Sequence, residues 1–293
     1  MNEIAKNWLN ANLKVDNYLA AICDLNGILR GKRVPLSQAS KIFKGGVRMP
    51  LSICYLDIWG EEIANSTFIT DSGDSDGICD WTGRAPMLMD WMPTPAAFVP
   101  LWLKNEDGSN FMGDPRCVLS NIVDKFKAKG LTPVVATELE FYLYDATDVK
   151  PKPPICPLSG KLLSSNSILT LSELQQFDAF LNDIYAACKA QDIPADTATA
   201  ENGPGQFEIN LLHTDDVLKA ADDTILFKEI VRGVAIKHNF AATFMAKPYG
   251  DRAGNGMHVH FSLVDKDGNN VFNDDTDMGS EILQNAVAGL LEA

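Results

Sequence analysis

Three short segments carry side chains whose types and spacing could do chemistry. In Glu138-Leu139-Glu140 two carboxylates flank a leucine. On an extended strand alternate side chains share a face, so Glu138 and Glu140 point one way, roughly 6.5–7 Å apart, and Leu139 and Phe141 the other. In Glu201-Asn-Gly-Pro-Gly-Gln-Phe-Glu208 the Gly203-Pro204-Gly205 centre predicts a tight turn, one that can bring Glu201 back near Glu208. The strand that follows has Phe207, Ile209 and Leu211 on one side and Glu208 and Asn210 on the other. In Gly254-Asn-Gly-Met-His258-Val-His260-Phe-Ser262, the residues His258, His260 and Ser262 share a strand face opposite Met257, Val259 and Phe261. Each segment also has a structural reading: a solvated strand face, a surface hairpin, a pair of satisfied histidines. Together, four glutamates and one or two histidines form a mostly hard-oxygen donor set. Such a set favours Mg²⁺ or Mn²⁺ over zinc. Carboxylates this close repel unless a cation lies among them.

Magnesium held by carboxylates most often serves phosphate chemistry, yet the chain has no G-x-x-x-x-G-K-[ST] loop. Gly27-Ile-Leu-Arg-Gly31-Lys32-Arg33 has the wrong spacing and no hydroxyl after its lysine. A nucleotide would therefore be held through metals and not by a phosphate-binding loop.

These side chains need elements to position them. Around Asp24-Leu25-Asn26-Gly27 the pattern predicts a hairpin between strands 19–23 and 28–29. Residues 49–59 and 67–70 read as further strands, 90–95 as rigid turn, and 104–110 as a polar boundary. From there helices and strands alternate. Asp114-Pro115 predicts a helix start, Leu119, Ile122, Val123 and Phe126 its apolar face, and Gly130 its end. Residues 133–136 lead into a strand over 137–144, followed by a proline-rich loop over 145–166. Ser172-Glu173-Leu174-Gln175 has the form of a capping box, opening a helix with Leu174, Phe177, Leu181, Ile184 and Cys188 on one side. Residues 215–238 predict a long helix, 240–246 and 257–264 two strands, Gly268-Asn269 a turn, and 282–291 a last helix with no terminating signal. A chain that stops on an exposed apolar helix suggests truncation.

Composition narrows the function. Lys and Arg number 25 against 39 Asp and Glu, a net charge of −14 that argues against a broad grip on nucleic acid. The apolar run 96–103 is interrupted by Pro100 and is too short to span a membrane. The N-terminus lacks the apolar block of a signal peptide. Six scattered cysteines without a CxxC pair read as reduced thiols of a cytoplasmic protein.

At its three chemical segments the sequence resembles the glutamine synthetase family: a Glu-x-Glu strand, then Glu-x-x-Pro-Gly-Gln-x-Glu, then Gly-x-Gly-Met-His-x-His-x-Ser. Phe244-Met-Ala-Lys-Pro248 matches as well. The stretch Asp24-Leu-Asn-Gly-Ile-Leu-Arg-Gly-Lys-Arg33 is similar to the branch that joins glutamate to polyamines and other amines. The resemblance implies an α+β protein with a small N-terminal β-grasp domain over residues 1–107. An incomplete catalytic domain over 108–293 would be built on a curved antiparallel sheet flanked by helices. It implies two divalent ions, Mg²⁺ or Mn²⁺, with ATP as co-substrate. Glu140, Glu201 and Glu208 would hold one ion, Glu138 and His258 the other. Gly254 would contact glutamate through its backbone, and His260 and Ser262 would lie near ATP. The implied partners are glutamate, an amine and ATP, within a homo-oligomeric ring.

Two departures qualify the resemblance. Ammonia-using members carry Phe-Asp-Gly-Ser-Ser where this chain reads Gly46-Val-Arg-Met-Pro-Leu-Ser52, and the asparagine before the first glycine of the histidine motif is Ala253. Both favour an organic amine over ammonia. Asp74, Asp76 and Asp80 could attract a cationic amine, or form a solvated acidic loop. The family's later elements, a further metal-binding glutamate, phosphate-clamping arginines and a glutamate flap, would lie beyond Ala293, so the 293-residue chain alone is expected to be inactive. The alternatives are a glutamine synthetase using ammonia, a non-catalytic member that binds metal or nucleotide, and an unrelated metal-dependent hydrolase.

Overall fold

The computed structural model describes residues 3–12, 14–64, 66, 73–145, 147, 150–166 and 168–293. The chain divides into two compact units, one running to Ile122 and the other beginning at Val123.

The first unit opens with helix α1 (Glu3–Ala11). The expected hairpin follows, β1 (Asn17–Cys23) and β2 (Leu29–Pro35), paired from Cys23↔Leu29 to Asn17↔Pro35. Its turn is built by Asp24, whose carboxylate accepts the N–H groups of Asn26 and Ile28 (both 2.9 Å) and pairs with Arg30. Gly27 supplies the left-handed φ of 70°. Then come β3 (Val47–Pro50), β4 (Asp76–Trp81), β5 (Met87–Met89) and β6 (Ala96–Lys104). The sheet order is β2-β1-β6-β4-β3, with β5 also on β6 and β1 parallel to β6. Pro100 is tolerated inside β6 because its missing N–H falls where pairing with β1 ends, at Ala21↔Pro100, and pairing with β4 begins, at Leu101. Tyr18, Ile22, Ile42, Met49 and Leu103 are fully buried in this unit's core.

Two expectations are corrected here. Residues 49–59 are not one strand: β3 stops at Pro50 and a 3₁₀ turn covers Leu51–Tyr55. Leu51 and Cys54 are buried at a spacing of three, so the apolar run follows the 3₁₀ period and not strand alternation. Asp74, Asp76 and Asp80 do not form an acidic loop, since Asp76 begins β4 and Asp80 on that strand bonds Lys104 Nζ at 2.9 Å. The strand expected over 67–70 lies outside the described residues.

Helix α2 (Pro115–Ala128) starts where Asp114 predicts. The Asp114 carboxylate accepts the N–H of Arg116 and, at 2.8 Å, that of Leu103. Gly130, with φ 69°, ends the helix.

The second unit is organised on β7 (Thr132–Tyr144). Helices α3 (Leu171–Gln176), α4 (Asp178–Ala190) and α5 (Val217–Lys237) accompany strands β8 (Ala195–Ala200), β9 (Gln206–Leu211), β10 (Ala241–Thr243) and β11 (Met257–Val264). All the strand pairings are antiparallel, in the order β10-β7-β9-β8 with β11 also on β7. Helices pack on one face through aromatic rings: Phe177 lies 5.1 Å from Phe207, and Phe141 is 6.1 Å from Phe207 and 6.5 Å from Phe227. Asp216 caps α5 through the N–H of Lys219, and Ser280 caps the last helix, α6 (Glu281–Glu292), which buries no residue. Gly268 makes the expected turn.

The capping box is not formed. Ser172 lies inside α3, Thr170 occupies the cap position but its side chain does not cap the helix, and the helix breaks at Phe177. Glu173 is instead turned inward, 3 % exposed, and accepts the Gly205 N–H at 3.0 Å. The expected strand over 240–246 is reduced to Ala241–Thr243, after which Phe244 places its ring 5.5 Å from that of Phe141. Among the described residues no helix is long and apolar enough to cross a membrane. All six cysteines are free thiols, and burial pushes Cys79 and Cys188 up to about 12.

Candidate metal centre

Strand register assembles the site. Residues directly opposite on antiparallel strands share a face. Glu138 stands between His258 on β11 and Asn210 on β9, and Glu140 stands opposite Glu208. The other face of β7 carries Leu139 and Phe141, both fully buried, so the carboxylates are turned away from the core. Glu201 follows β8 directly, its N–H bonded to the Gln206 carbonyl, which puts it beside Glu208 at the turn end of the hairpin.

Both oxygens of Glu138 are engaged. Oε2 lies 3.2 Å from His258 Nδ1 and Oε1 lies 2.8 Å from His260 Nε2. Ligand atoms of Glu138, Glu208 and His258 all fall within 4.8 Å of one another, the one such group among the described residues. Gly256 leaves room for the cluster, because a Cβ there would lie 2.8 Å from Glu140 Oε1.

The charges are unbalanced. Burial raises the Glu201 carboxyl above its ordinary value, and Glu140 and Glu208 raise it further. Burial likewise raises Glu208, with Glu138 and Glu140 adding to the shift while His258 and Asn210 oppose it. For Glu138 burial pushes upward too, but hydrogen bonds from His260, His258 and Asn210 outweigh it and hold the carboxyl below its usual value. Uncompensated carboxylates with an imidazole nitrogen among them are a donor set for a hard divalent cation. The residues present fit Mg²⁺ or Mn²⁺.

The structure brings together Glu138, Glu208 and His258, sets Glu140 and Glu201 beside Glu208, and ties His260 to Glu138. Glu208 thus lies between the two ligand sets implied by resemblance. Ser262 shares their face but stands four residues further along β11 than His258, about 13 Å away on an extended strand. Gly254 has its carbonyl occupied by the side-chain amide of Gln206 at 2.9 Å, and a Cβ there would meet the Ala246 carbonyl oxygen at 2.5 Å.

Three supporting residues were not singled out in the sequence. Gln206, 1 % exposed, donates to Glu140 Oε2 at 2.9 Å. Tyr142 donates its hydroxyl to the Ala253 carbonyl, and Asn255 donates to the carbonyls of Thr243 and Met245. Alternation could have found Tyr142 and Gln206, which follow Glu138-x-Glu140 and precede Glu208-x-Asn210 at a spacing of two. No local signal marks Asn255.

Comparison with known proteins agrees with this geometry. Residues 112–293 match the family described as glutamine synthetase, catalytic domain. The chain is 39 % identical over 279 residues to gamma-glutamylputrescine synthetase PuuA of Escherichia coli (strain K12), covering 92 % of this chain and 58 % of that protein. It is 28 % identical over 294 residues to a glutamate–isopropylamine ligase of Pseudomonas sp, covering 94 % and 61 %. A solved structure titled "GmaS/ADP complex-Conformation 1" superposes with a TM-score of 0.80 at 23 % identity, covering 99 % of this chain and 62 % of that one, a likeness of fold. The chain therefore spans about three fifths of the relatives it matches. With the family's motifs standing on adjacent strands of one sheet face, the chain belongs to the glutamine synthetase family.

Proposed function

We propose that the whole protein is an ATP-dependent ligase joining an organic amine to the γ-carboxylate of glutamate. The observation that carries the reading is the convergence of Glu138, Glu208 and His258, with Glu140 and Glu201 beside them, on one sheet face. In the reaction the γ-phosphoryl group of ATP passes to a γ-carboxylate oxygen of glutamate and ADP leaves. The amine nitrogen then attacks the acyl carbon, the carbon–oxygen bond to phosphate breaks, and the amine gives up a proton. Glu140, Glu201 and Glu208 would hold one divalent ion and Glu138 with His258 a second. Such ions supply charge neutralisation between carboxylate and triphosphate. The chain's own contribution is positioning: β7, β9 and β11 hold the ligands in register, and the 253–256 loop lies beside them for the glutamate substrate. We assign Gly254 to that contact, and His260 and Ser262 to the nucleotide side.

An organic amine is favoured over ammonia. The 46–52 segment carries no aspartate. PuuA and the Pseudomonas ligase are named for putrescine and isopropylamine. The first sheet, with parallel β1 and β6 at its centre, suits a β-grasp domain over 1–107, ahead of a catalytic domain over 108–293. A cytoplasmic homo-oligomeric ring belongs to the same reading.

The test is ADP release by the protein as it occurs in its source, given glutamate, Mg·ATP and a panel of ammonium, putrescine and isopropylamine. Turnover with the diamine or alkylamine is expected. Turnover with ammonium alone would make it a glutamine synthetase. Mg·ATP binding without turnover on any amine would favour a non-catalytic binding protein.

A further inference from the structure

We infer that Gln206 is a positioning residue coupling the metal ligand Glu140 to the 253–256 loop. The inference rests on the metal-centre reading above and adds a mechanical link to it.

The Gln206 amide is a four-way junction. Its Nε2 donates to Glu140 Oε2 at 2.9 Å, to the Gly254 carbonyl at 2.9 Å and to Asn255 Oδ1 at 3.1 Å. Its Oε1 accepts the Gly203 N–H at 2.9 Å. The amide orientation follows from this network, because the flipped amide would set an oxygen against a carboxylate and an NH₂ against an N–H. Two N–H bonds serve three acceptors, so a shift of Glu140 alters the share left for Gly254 and Asn255. Asn255 carries the link onward, its Nδ2 donating to the carbonyls of Thr243 (3.2 Å) and Met245 (2.9 Å) and its N–H to that of Ala246 (2.8 Å).

Gln206 has little freedom to do anything else. It is 1 % exposed, and its backbone closes the turn through Gln206 N–H to Gly203 O and Glu201 N–H to Gln206 O. A buried network of this kind holds its members in one arrangement only while every partner is present. Capturing a cation fixes the Glu140 carboxylate, which fixes the amide and with it the loop. Tyr142 grips the same loop from another point, through the Ala253 carbonyl, without touching Glu140 in any bond described.

The test uses Mn²⁺ as probe on the full 293-residue chain, with Mn²⁺ affinity read by electron paramagnetic resonance and hydrogen–deuterium exchange followed in peptides spanning 253–256. In the wild type, Mn²⁺ is expected to slow exchange across 253–256. Gln206→Glu, nearly isosteric, and Gln206→Ala are expected to weaken Mn²⁺ binding by roughly 10–100-fold, as loss of a partner behind a metal ligand does. At saturating Mn²⁺ both are expected to lose the protection of the loop. Tyr142→Phe is the control: exchange in the loop rises, but Mn²⁺ affinity is unchanged and Mn²⁺ still adds its protection. Circular dichroism at the assay temperature identifies any variant that is unfolded, and the wild-type and Tyr142→Phe data then decide. Wild-type Mn²⁺ binding with no change in loop exchange overturns the coupling and leaves the metal centre standing. Absence of Mn²⁺ binding by the folded wild type overturns both.

Discussion

Glu140 and Glu208 stand directly opposite one another on β7 and β9, two carboxylates on one face of the sheet with Glu201 beside them. Like charges directly opposed across antiparallel strands are destabilising, on the scale of the ~0.2–1 kcal/mol that a favourable cross-strand pair contributes. Glu208→Gln is therefore expected to stabilise the metal-free chain by about that amount. It should also weaken Mn²⁺ binding by at least the roughly tenfold that loss of an outer partner costs. Thermal melts with and without Mn²⁺ check both halves, and a Glu208→Gln variant less stable than wild type without metal would contradict the repulsion.

Proton linkage follows from the raised carboxyls of Glu201 and Glu208. A carboxyl whose folded value lies above its unfolded one favours folding while protonated, and that advantage is lost as pH rises through the folded value. The metal-free chain should thus give up this contribution as pH climbs above the ordinary carboxylate range. Mn²⁺ needs the ionised forms, so its affinity should climb over the same interval, with protons released on binding. Titration calorimetry in buffers of different ionisation enthalpy reads the proton count. A count of zero near the foot of that interval would argue against the shifts.

Asp183 has the opposite sign. Hydrogen bonds from Lys237 and His238, both at 2.9 Å, hold its carboxyl below the usual value. Its stabilisation is present above the unfolded value and is lost as pH falls through the lowered one. The pair is partly exposed, so Asp183→Asn should cost no more than about 1 kcal/mol at neutral pH and nothing in strong acid. Denaturant melts at the two pH values test this, and an equal loss at both would rule out the ionic contribution.

Two glycines should respond differently to alanine. A Cβ at Gly203 would sit 1.9 Å from the Tyr142 hydroxyl, which bonds Ala253. Gly203→Ala is expected to destabilise by about 1–3 kcal/mol, as overpacking does. At Gly250 nothing lies within 4 Å of the new atom, and Gly250→Ala should fall within about 0.5 kcal/mol of wild type. Equal effects at the two positions, measured by urea unfolding, would refute the packing at the Gly203 turn.

Much of the site was legible in the sequence because alternation is a property of the extended backbone. Glu138 and Glu140 share a face, as do Glu208 with Asn210 and His258 with His260, whatever the rest of the chain does. Helix starts at Asp114 and the long helix after Asp215 were legible for a similar reason, a cap or an apolar period being local. Local signals misled where a distant partner made the better offer. Glu173 leaves its capping box for the Gly205 N–H, and the 49–59 run coils after Pro50.

What the sequence by itself determined is the inventory: which carboxylates and imidazoles share a strand face, and that together they suit a hard cation. Only the tertiary structure decided which strands are neighbours and in what register. Glu138 meets His258 from 120 positions away, and Gln206 meets Glu140 from 66. Such register is set by backbone pairing between remote segments and by the aromatic core beneath Phe141 and Phe207, whose effects no window of sequence contains.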